Sequence, residues 1–345
     1  MTGEAVVTEM RPAHRFDADR LEAWLIGRLP DFEPPLRVRQ FEGGQSNPTF
    51  LLETGDRRWV LRKKPTGVLL PSAHQVGREY TIIKALDGSG VPVPTARLHC
   101  EDPEVIGTEF FIMDCVEGRV FGDPLLPDLT PAERRALYED QMKVLARLHA
   151  VDYAAVGLGD GFGRPGNYYE RQISRWTRSY IAAQTEDIPE MTRLMEWLPA
   201  NIPADDQVTI VHGDSSLRNC MTHPTEPRIA AVLDWELSTI GHPYADVAFA
   251  TLFQMGDTSQ DDIVALGIPS QQEMFDLYFA ASGRPPPADW TFYLAFILFR
   301  IAAINQGVYK RGLDGNAASD TYMLAVPGIK RSSAYACRLI AERGL

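Results

Sequence analysis

The chain has 345 residues, 45% of them hydrophobic and 23% charged, with a formal net charge of −12. That length can bury a sizeable core as one large unit or two fused ones, while the acidic balance argues against nucleic-acid binding, which goes with basic domains. The four cysteines form no C-x-x-C pair, so neither a disulfide framework nor a zinc site is suggested. The opening "MTGEAVVTEMRPAHRFDADR" lacks the apolar core of a signal peptide. The run "FYLAFILFRIAAI" is broken by Arg300 and reads as too short to span a bilayer, so a cytoplasmic protein with no membrane or nucleic-acid partner is expected.

In chain order, "DADRLEAWLIGRL" places Leu21, Trp24, Leu25 and Leu29 at helical spacing behind an acidic start, which predicts a helical extension over residues 1–30. Residues 31–113 read as a small sheet of about five strands with one helix inserted. "TFLLET" and "RRWVLRK" flank the Gly55-Asp56 turn signal of a hairpin, and "EGGQSN" precedes them as a glycine-containing turn. "HQVGREYTIIKAL" is the helix, with Val76, Tyr80, Ile83 and Leu86 on one face; "VPVPTARLHC" and "TEFFIMD" are further strands. After a joint at 114–118 the texture turns helical over 119–345. "PAERRALYEDQMKVLARLHA" carries Leu137, Gln141, Val144, Leu145 and Leu148 on one face behind Pro131. Only "QVTIVHGD" and the stretch around 220–234 look extended there.

The chemistry concentrates in "VHGDSSLRNC" and "AAVLDWE". Between Asn219 and Asp234 the middle, "HPTEPR", is dense in turn formers and the flanks can extend, so the segment reads as a hairpin. Its ends then lie about one strand spacing apart, about 4.8 Å. Asn219 and Asp234 meet at the open end, and Asp214 sits on the loop entering the same corner. An amide oxygen beside a carboxylate suits Mg²⁺ that also holds substrate phosphates. The other carboxylate, Asp214, is free to orient a hydroxyl and take its proton. Two apparent motifs are set aside. "GFGRPG" matches G-x-G-x-x-G without a preceding strand, and Cys220 has no acid–base pair to make it a nucleophile.

This division of labour is that of phosphoryl transfer in protein kinases. "HGDSSLRN" with "LDWELSTIGHPYADVAF" resembles the aminoglycoside phosphotransferase family of kinase-like enzymes, in particular the branch of kinase-like domains fused to some acyl-CoA dehydrogenases. The likeness extends over roughly residues 35 to 320. It implies an α+β, two-lobed protein-kinase-like fold with a small β-rich lobe and a larger helical one, with ATP and Mg²⁺ as cofactors. It also implies transfer of a phosphoryl group to a small-molecule hydroxyl.

The resemblance assigns further roles. In "WVLRKK", the phosphate-gripping position of the kinase pattern falls on Arg62 rather than the usual lysine. Lys63 points to the opposite face by alternation, and Lys64 lies at the strand end. Glu79 is the expected partner of Arg62. Gly44, Gln45, Ser46 and Asn47 would cover the phosphates with backbone amides, and Asp114 and Val116 would meet adenine through backbone atoms. His212 and Asp246 are expected to brace the catalytic loop. For the acceptor, Arg171, Arg175 and Arg178 recur on one helical face, with Lys310 and Arg311 later in the chain. They favour an acidic substrate, a hydroxy acid or hydroxyacyl-CoA. An aminoglycoside or other antibiotic phosphotransferase and a nucleotide-binding regulatory pseudokinase are the alternatives.

Overall fold

A computed structural model describes residues 6–42, 47–65, 75–256, 258–314, 323 and 325–343. The first lobe is a six-stranded antiparallel sheet in the order β1-β2-β3-β4-β6-β5. Its strands are β1 (Val7–Thr8), β2 (Arg37–Phe41), β3 (Thr49–Thr54), β4 (Arg57–Lys63), β5 (Ala96–Cys100) and β6 (Phe110–Asp114). Strands β3 and β4 form the expected hairpin, pairing Thr54 with Arg57 across Gly55-Asp56, and Gly55 adopts the positive φ that such a turn requires.

Helix α1 (Ala18–Leu25) is capped by the Asp17 side chain, which accepts from Arg20 N–H. It buries Leu21 and Leu25 against Phe50, Trp59, Leu61 and Phe110 on one face of the sheet. Leu21, Leu25 and Leu29 are therefore part of this lobe's core, and β1 extends its sheet. Helix α2 (Val76–Leu86) covers the opposite face with Val76, Ile82, Ile83 and Leu86 buried. Tyr80 lies at the margin, stacked on His99. The short helix α3 (Pro103–Ile106) joins β5 to β6.

The chain leaves the sheet at Asp114 and enters a second, helical lobe. It comprises β7 (Arg119–Val120), α4 (Pro131–Ala150), α5 (Tyr168–Ala183), α6 (Pro189–Ala200), β8 (Thr209–Val211), β9 (Cys220–Thr222), β10 (Ile229–Val232) and β11 (Thr239–Gly241). Helices α7 (Pro243–Ala250), α8 (Gln260–Ala265), α9 (Gln271–Ser282), α10 (Thr291–Leu313) and α11 (Ala325–Glu342) complete it. Helix α4 starts with a capping box between Thr130 and Glu133 and has Pro131 in its first turn. Strand β11 pairs with β8, a partner for "QVTIVHGD" that local periodicity did not show.

Helix α10 corrects one expectation. At 23 residues it is long and apolar enough to cross a membrane, but 72% of its most apolar stretch is buried inside the protein. It is the central core helix of the second lobe, which is why it is apolar all round.

Candidate active site

The expected hairpin exists: β9 and β10 pair antiparallel with Val232 opposite Cys220. The next rung continues the ladder, Leu233 N–H donating to Asn219 O at 2.8 Å. Asn219 and Asp234 thereby come to the same end of the ribbon. The Asn219 amide nitrogen donates to Asp214 O at 2.9 Å, so its amide oxygen is the atom left to face a cation. Asp234 is a non-glycine residue at φ 62°, ψ 63°. That left-handed conformation is tolerated by Asp but uncommon, and it occurs where a side chain must be aimed.

The loop carrying Asp214 is held from behind. Gly213 has φ +86°, and a Cβ there would lie 2.6 Å from Leu237 O, so the residue before Asp214 must be glycine. Asp246, in the first turn of α7, accepts from His212 N–H at 2.6 Å and Gly213 N–H at 2.8 Å. Burial works against its ionised form, but the hydrogen bonds from His149 and Gly213 outweigh that and hold its pKa below the ordinary value. His149 on α4 lies 3.3 Å from Asp246 and 2.8 Å from the Tyr278 hydroxyl, and its burial lowers its pKa. The ring therefore sits neutral, donating to Asp246 and accepting from Tyr278.

His212 spans loop and hairpin. Its Nδ1 accepts from Asp214 N–H at 3.2 Å, and its Nε2 faces Leu233 O at 2.9 Å. Both ring nitrogens are thereby committed, and the ring ties the loop to the hairpin. Gln141 donates to Ser215 O at 2.8 Å from α4. Against this bracing, Asp214 Oδ1 is buried and makes no hydrogen bond within the described residues. A carboxylate oxygen in that state costs free energy until a donor arrives.

Across the cleft, Arg62 projects from β4. Its Nε lies 2.9 Å from Glu79 Oε2 and its Nη2 3.1 Å from Asp234 Oδ1. Glu79 also accepts from Trp235 N–H; burial lifts its pKa to about 7, against the pull of Arg62. The period-two reading of the strand holds. Lys63 is 1% exposed on the opposite face, under the rings of Phe16 and Phe50, and Lys64 lies past the strand end, its N–H on Glu109 O.

Asp114 closes β6, its N–H donating to Thr95 O and its carboxylate gripped by Arg97 at 2.7 and 2.6 Å. Val116 follows on the segment between the lobes. Asn47 is buried, its carbonyl accepting from the Thr49 hydroxyl; Gly44, Gln45 and Ser46 lie outside the described residues.

The arginine stripe separates. Arg171 turns back to the carbonyls of Gly166 and Arg164, and Arg178 is exposed beside Ser174. Arg175 instead lies over Trp176, as does Arg300 from α10. Arg300 is 4% exposed and donates to Gly213 O at 2.6 Å. Sequence reasoning took it only as an interruption of an apolar run; a lone cation inside such a run was the available signal. Lys310 pairs with Asp314 one turn on and stays at the surface.

A model described as "Phosphotransferase enzyme family" matches residues 37–290. Mouse acyl-CoA dehydrogenase family member 10 is 46% identical over 327 residues, which is 91% of this chain but only 30% of that protein's length. The crystal structure of a candidate aminoglycoside phosphotransferase from Ralstonia eutropha superposes with a TM-score of 0.84 at 46% identity, covering 94% of this chain and 99% of the other. An aminoglycoside phosphotransferase crystallised with AMP-PNP and hygromycin B shares the fold, with a TM-score of 0.60 at 18% identity over 93% of this chain and 98% of that one.

Proposed function

Because the chain belongs to the phosphotransferase enzyme family, we propose that it moves the γ-phosphoryl group of ATP to the hydroxyl of a small hydroxy acid or hydroxyacyl-CoA. The observation that carries the reaction class is the convergence of a hydrogen-bond-free Asp214 oxygen with Asn219 and Asp234 at one hairpin end. Asp214 accepts the acceptor's O–H, aims its oxygen at the γ-phosphorus, and takes the proton as the new O–P bond forms and ADP leaves. Arg62, backed by Glu79, offers a charged fork to the phosphates. Asn219 and Asp234 present hard oxygen donors that fit Mg²⁺, which would supply charge neutralisation on the phosphates when bound. The segment 114–118 is where the adenine would lie.

The acyl-CoA dehydrogenase name of the 46%-identical relative supports the acceptor class. The likeness to the Ralstonia aminoglycoside phosphotransferase candidate supports the second reading, an antibiotic acceptor. A polycationic antibiotic needs a carboxylate-lined pocket, whereas Arg300, on Gly213 O, and Arg175 are two cations that share the Trp176 ring. A purely regulatory nucleotide-binding role is disfavoured because a base and both oxygen ligands are present.

The test is product detection by mass spectrometry over hydroxy acids, their CoA thioesters, amino alcohols and aminoglycosides, with Asp214→Asn as control. That variant should lose about 10²-fold or more in turnover, as removal of a general base commonly does, while ATP still binds. Near-normal turnover in it sinks the assignment of Asp214. Phosphorylation confined to aminoglycosides would replace the acceptor class.

A further inference from the structure

Arg300 is an expensive residue to place where it is. It stands in the middle of the core helix α10, 4% exposed, and its one hydrogen bond among the described residues is to the neutral carbonyl of Gly213. Its Nε is buried with no partner among the described residues. Its guanidinium carbon lies 5.6 Å from the Trp176 ring centre and 5.7 Å from that of Phe249, contacts that soften but do not neutralise the charge. No carboxylate of the described residues comes within ion-pairing distance. Buried cations are ordinarily paired, and packing alone would be served by leucine.

A second cation sits beside it. Arg175 reaches solvent and lies 5.2 Å from the same tryptophan ring centre. Its pKa is lowered, first by partial loss of hydration and then by the charge of Arg300, so the two guanidiniums feel each other. The Tyr168 hydroxyl, pushed up to about 12 by burial, is pulled back by Arg300, Arg171 and Arg175. Two cations thus share one tryptophan ring in a chain whose net charge is −12.

We propose that Arg300 and Arg175 form the anion subsite for the acceptor, holding its carboxylate against Trp176 while its hydroxyl reaches Asp214. The proposal rests on the phosphotransfer reading and adds to it where the substrate's charge is held. Gly213, whose carbonyl Arg300 grips, directly precedes the base. One hydrogen bond and one peptide unit therefore link Arg300 to Asp214. A short hydroxy acid, with a few carbon–carbon bonds between its two functional groups, spans that separation. The phosphates of a coenzyme A thioester lie too far along the pantetheine arm to reach Arg300 and the base together.

Two measurements are paired so that the inference and the underlying reading fail separately. The first is calorimetric titration of the intact protein with butyrate, which carries the anion without a hydroxyl, and with free coenzyme A. Binding of butyrate should weaken by about tenfold or more in Arg175→Gln, the usual cost of losing a hydrogen bond to a charged group. Arg300→Lys, which keeps the charge but not the fork, should weaken it similarly, with a thermal melt showing that the variant is folded. The second is phosphoryl transfer from ATP to 2-, 3- and 4-hydroxybutyrate against 1,3- and 1,4-butanediol, read as the acid-to-diol ratio of kcat/KM. That ratio should exceed ten in the unaltered protein and collapse toward one in Arg175→Gln. Butyrate binding equal in the unaltered and variant proteins, an acid-to-diol ratio near one, or binding of free coenzyme A in place of butyrate would each overturn the subsite. Arginine-dependent butyrate binding with no phosphorylated product from any acceptor would support the subsite and sink the phosphotransfer reading instead.

Discussion

Arg62 bridges two carboxylates, Glu79 at 2.9 Å and Asp234 at 3.1 Å, and so ties the first lobe to the second; in the proposed reaction these are the phosphate grip and a metal ligand. Glu79 is almost fully buried and cannot leave; Asp234 is partly exposed and can exchange the arginine for a cation. Arg62→Ala should therefore raise the KM for ATP by about tenfold or more and lower turnover with it, since a charged hydrogen-bond donor is lost from the phosphates. Lys64→Ala should be nearly silent, because Lys64 lies past the end of β4. Steady-state kinetics on the two variants decide it; a large effect confined to Lys64→Ala would mean the wrong cation has been assigned to the phosphates. The choice of Arg62 over its neighbours was legible in the sequence because strand alternation is local. Arg300 was not legible in the same way. Its role depends on which helices cross α10, on Trp176 from α5 and on a carbonyl 87 positions earlier, and none of those contacts leaves a trace in local spacing.

Helix α7 is the element on which the catalytic loop hangs. His242 caps it, accepting from Tyr244 N–H, and Asp246 in its first turn accepts from both His212 and Gly213 N–H. Replacing Asp246 with Asn leaves one acceptor and turns an amide toward a backbone donor. The buried network should lose about 2–3 kcal/mol, the range for losing a hydrogen bond to a charged acceptor. Turnover should fall with it, because the loop that aims Asp214 loses its anchor. Urea unfolding measures the first effect, and activity at a temperature where the variant is folded measures the second; unchanged stability would show that the loop is held by other contacts. The β9–β10 ribbon was readable beforehand because its turn composition and flanking apolar residues are contiguous. The anchor's full form was not. Asp246 was named from resemblance, but His149, which completes it from α4 with Tyr278 behind, lies 97 residues away and stands in its helix as one polar residue among many. Strand β11 was hidden for a related reason: three residues pairing with β8 make no periodic signal of their own.

At the scale of the whole molecule, the lobes share a hydrophobic cluster in which Val76 and Val91 join Leu145 and Trp235, and they are tied by polar contacts: Arg62 with Asp234, Arg78 with Ser238 O at 2.9 Å, and Val232 N–H with Pro92 O at 2.8 Å. The second lobe, by contrast, is built around buried aromatic rings and neutral histidines, and this gives its stability a pH dependence. His242 is enclosed by Tyr169, Tyr244 and Tyr293, and burial is the main cause of a pKa lowered from 6.5 to about 4. The unfolded chain takes up a proton at this residue below pH 6.5, whereas the folded chain resists it until about pH 4. Stability from His242 is therefore complete above pH 6.5 and is lost as pH falls toward 4; by pH 5 the loss is about 2 kcal/mol. His149 acts in the same sense, its pKa also lowered by burial. Glu79 acts in the opposite sense, because a carboxyl raised to about 7 gains a proton in the folded state first. The raw profile of the protein mixes these contributions, so the comparison must be with a variant. His242→Asn keeps a capping side chain for α7 but removes the titrating ring. Denaturant unfolding of both proteins at pH 7.5 and pH 5 should show the variant losing about 2 kcal/mol less than the parent over that interval. Equal losses in the two proteins would mean that His242 is already protonated, or already solvated, in the native state.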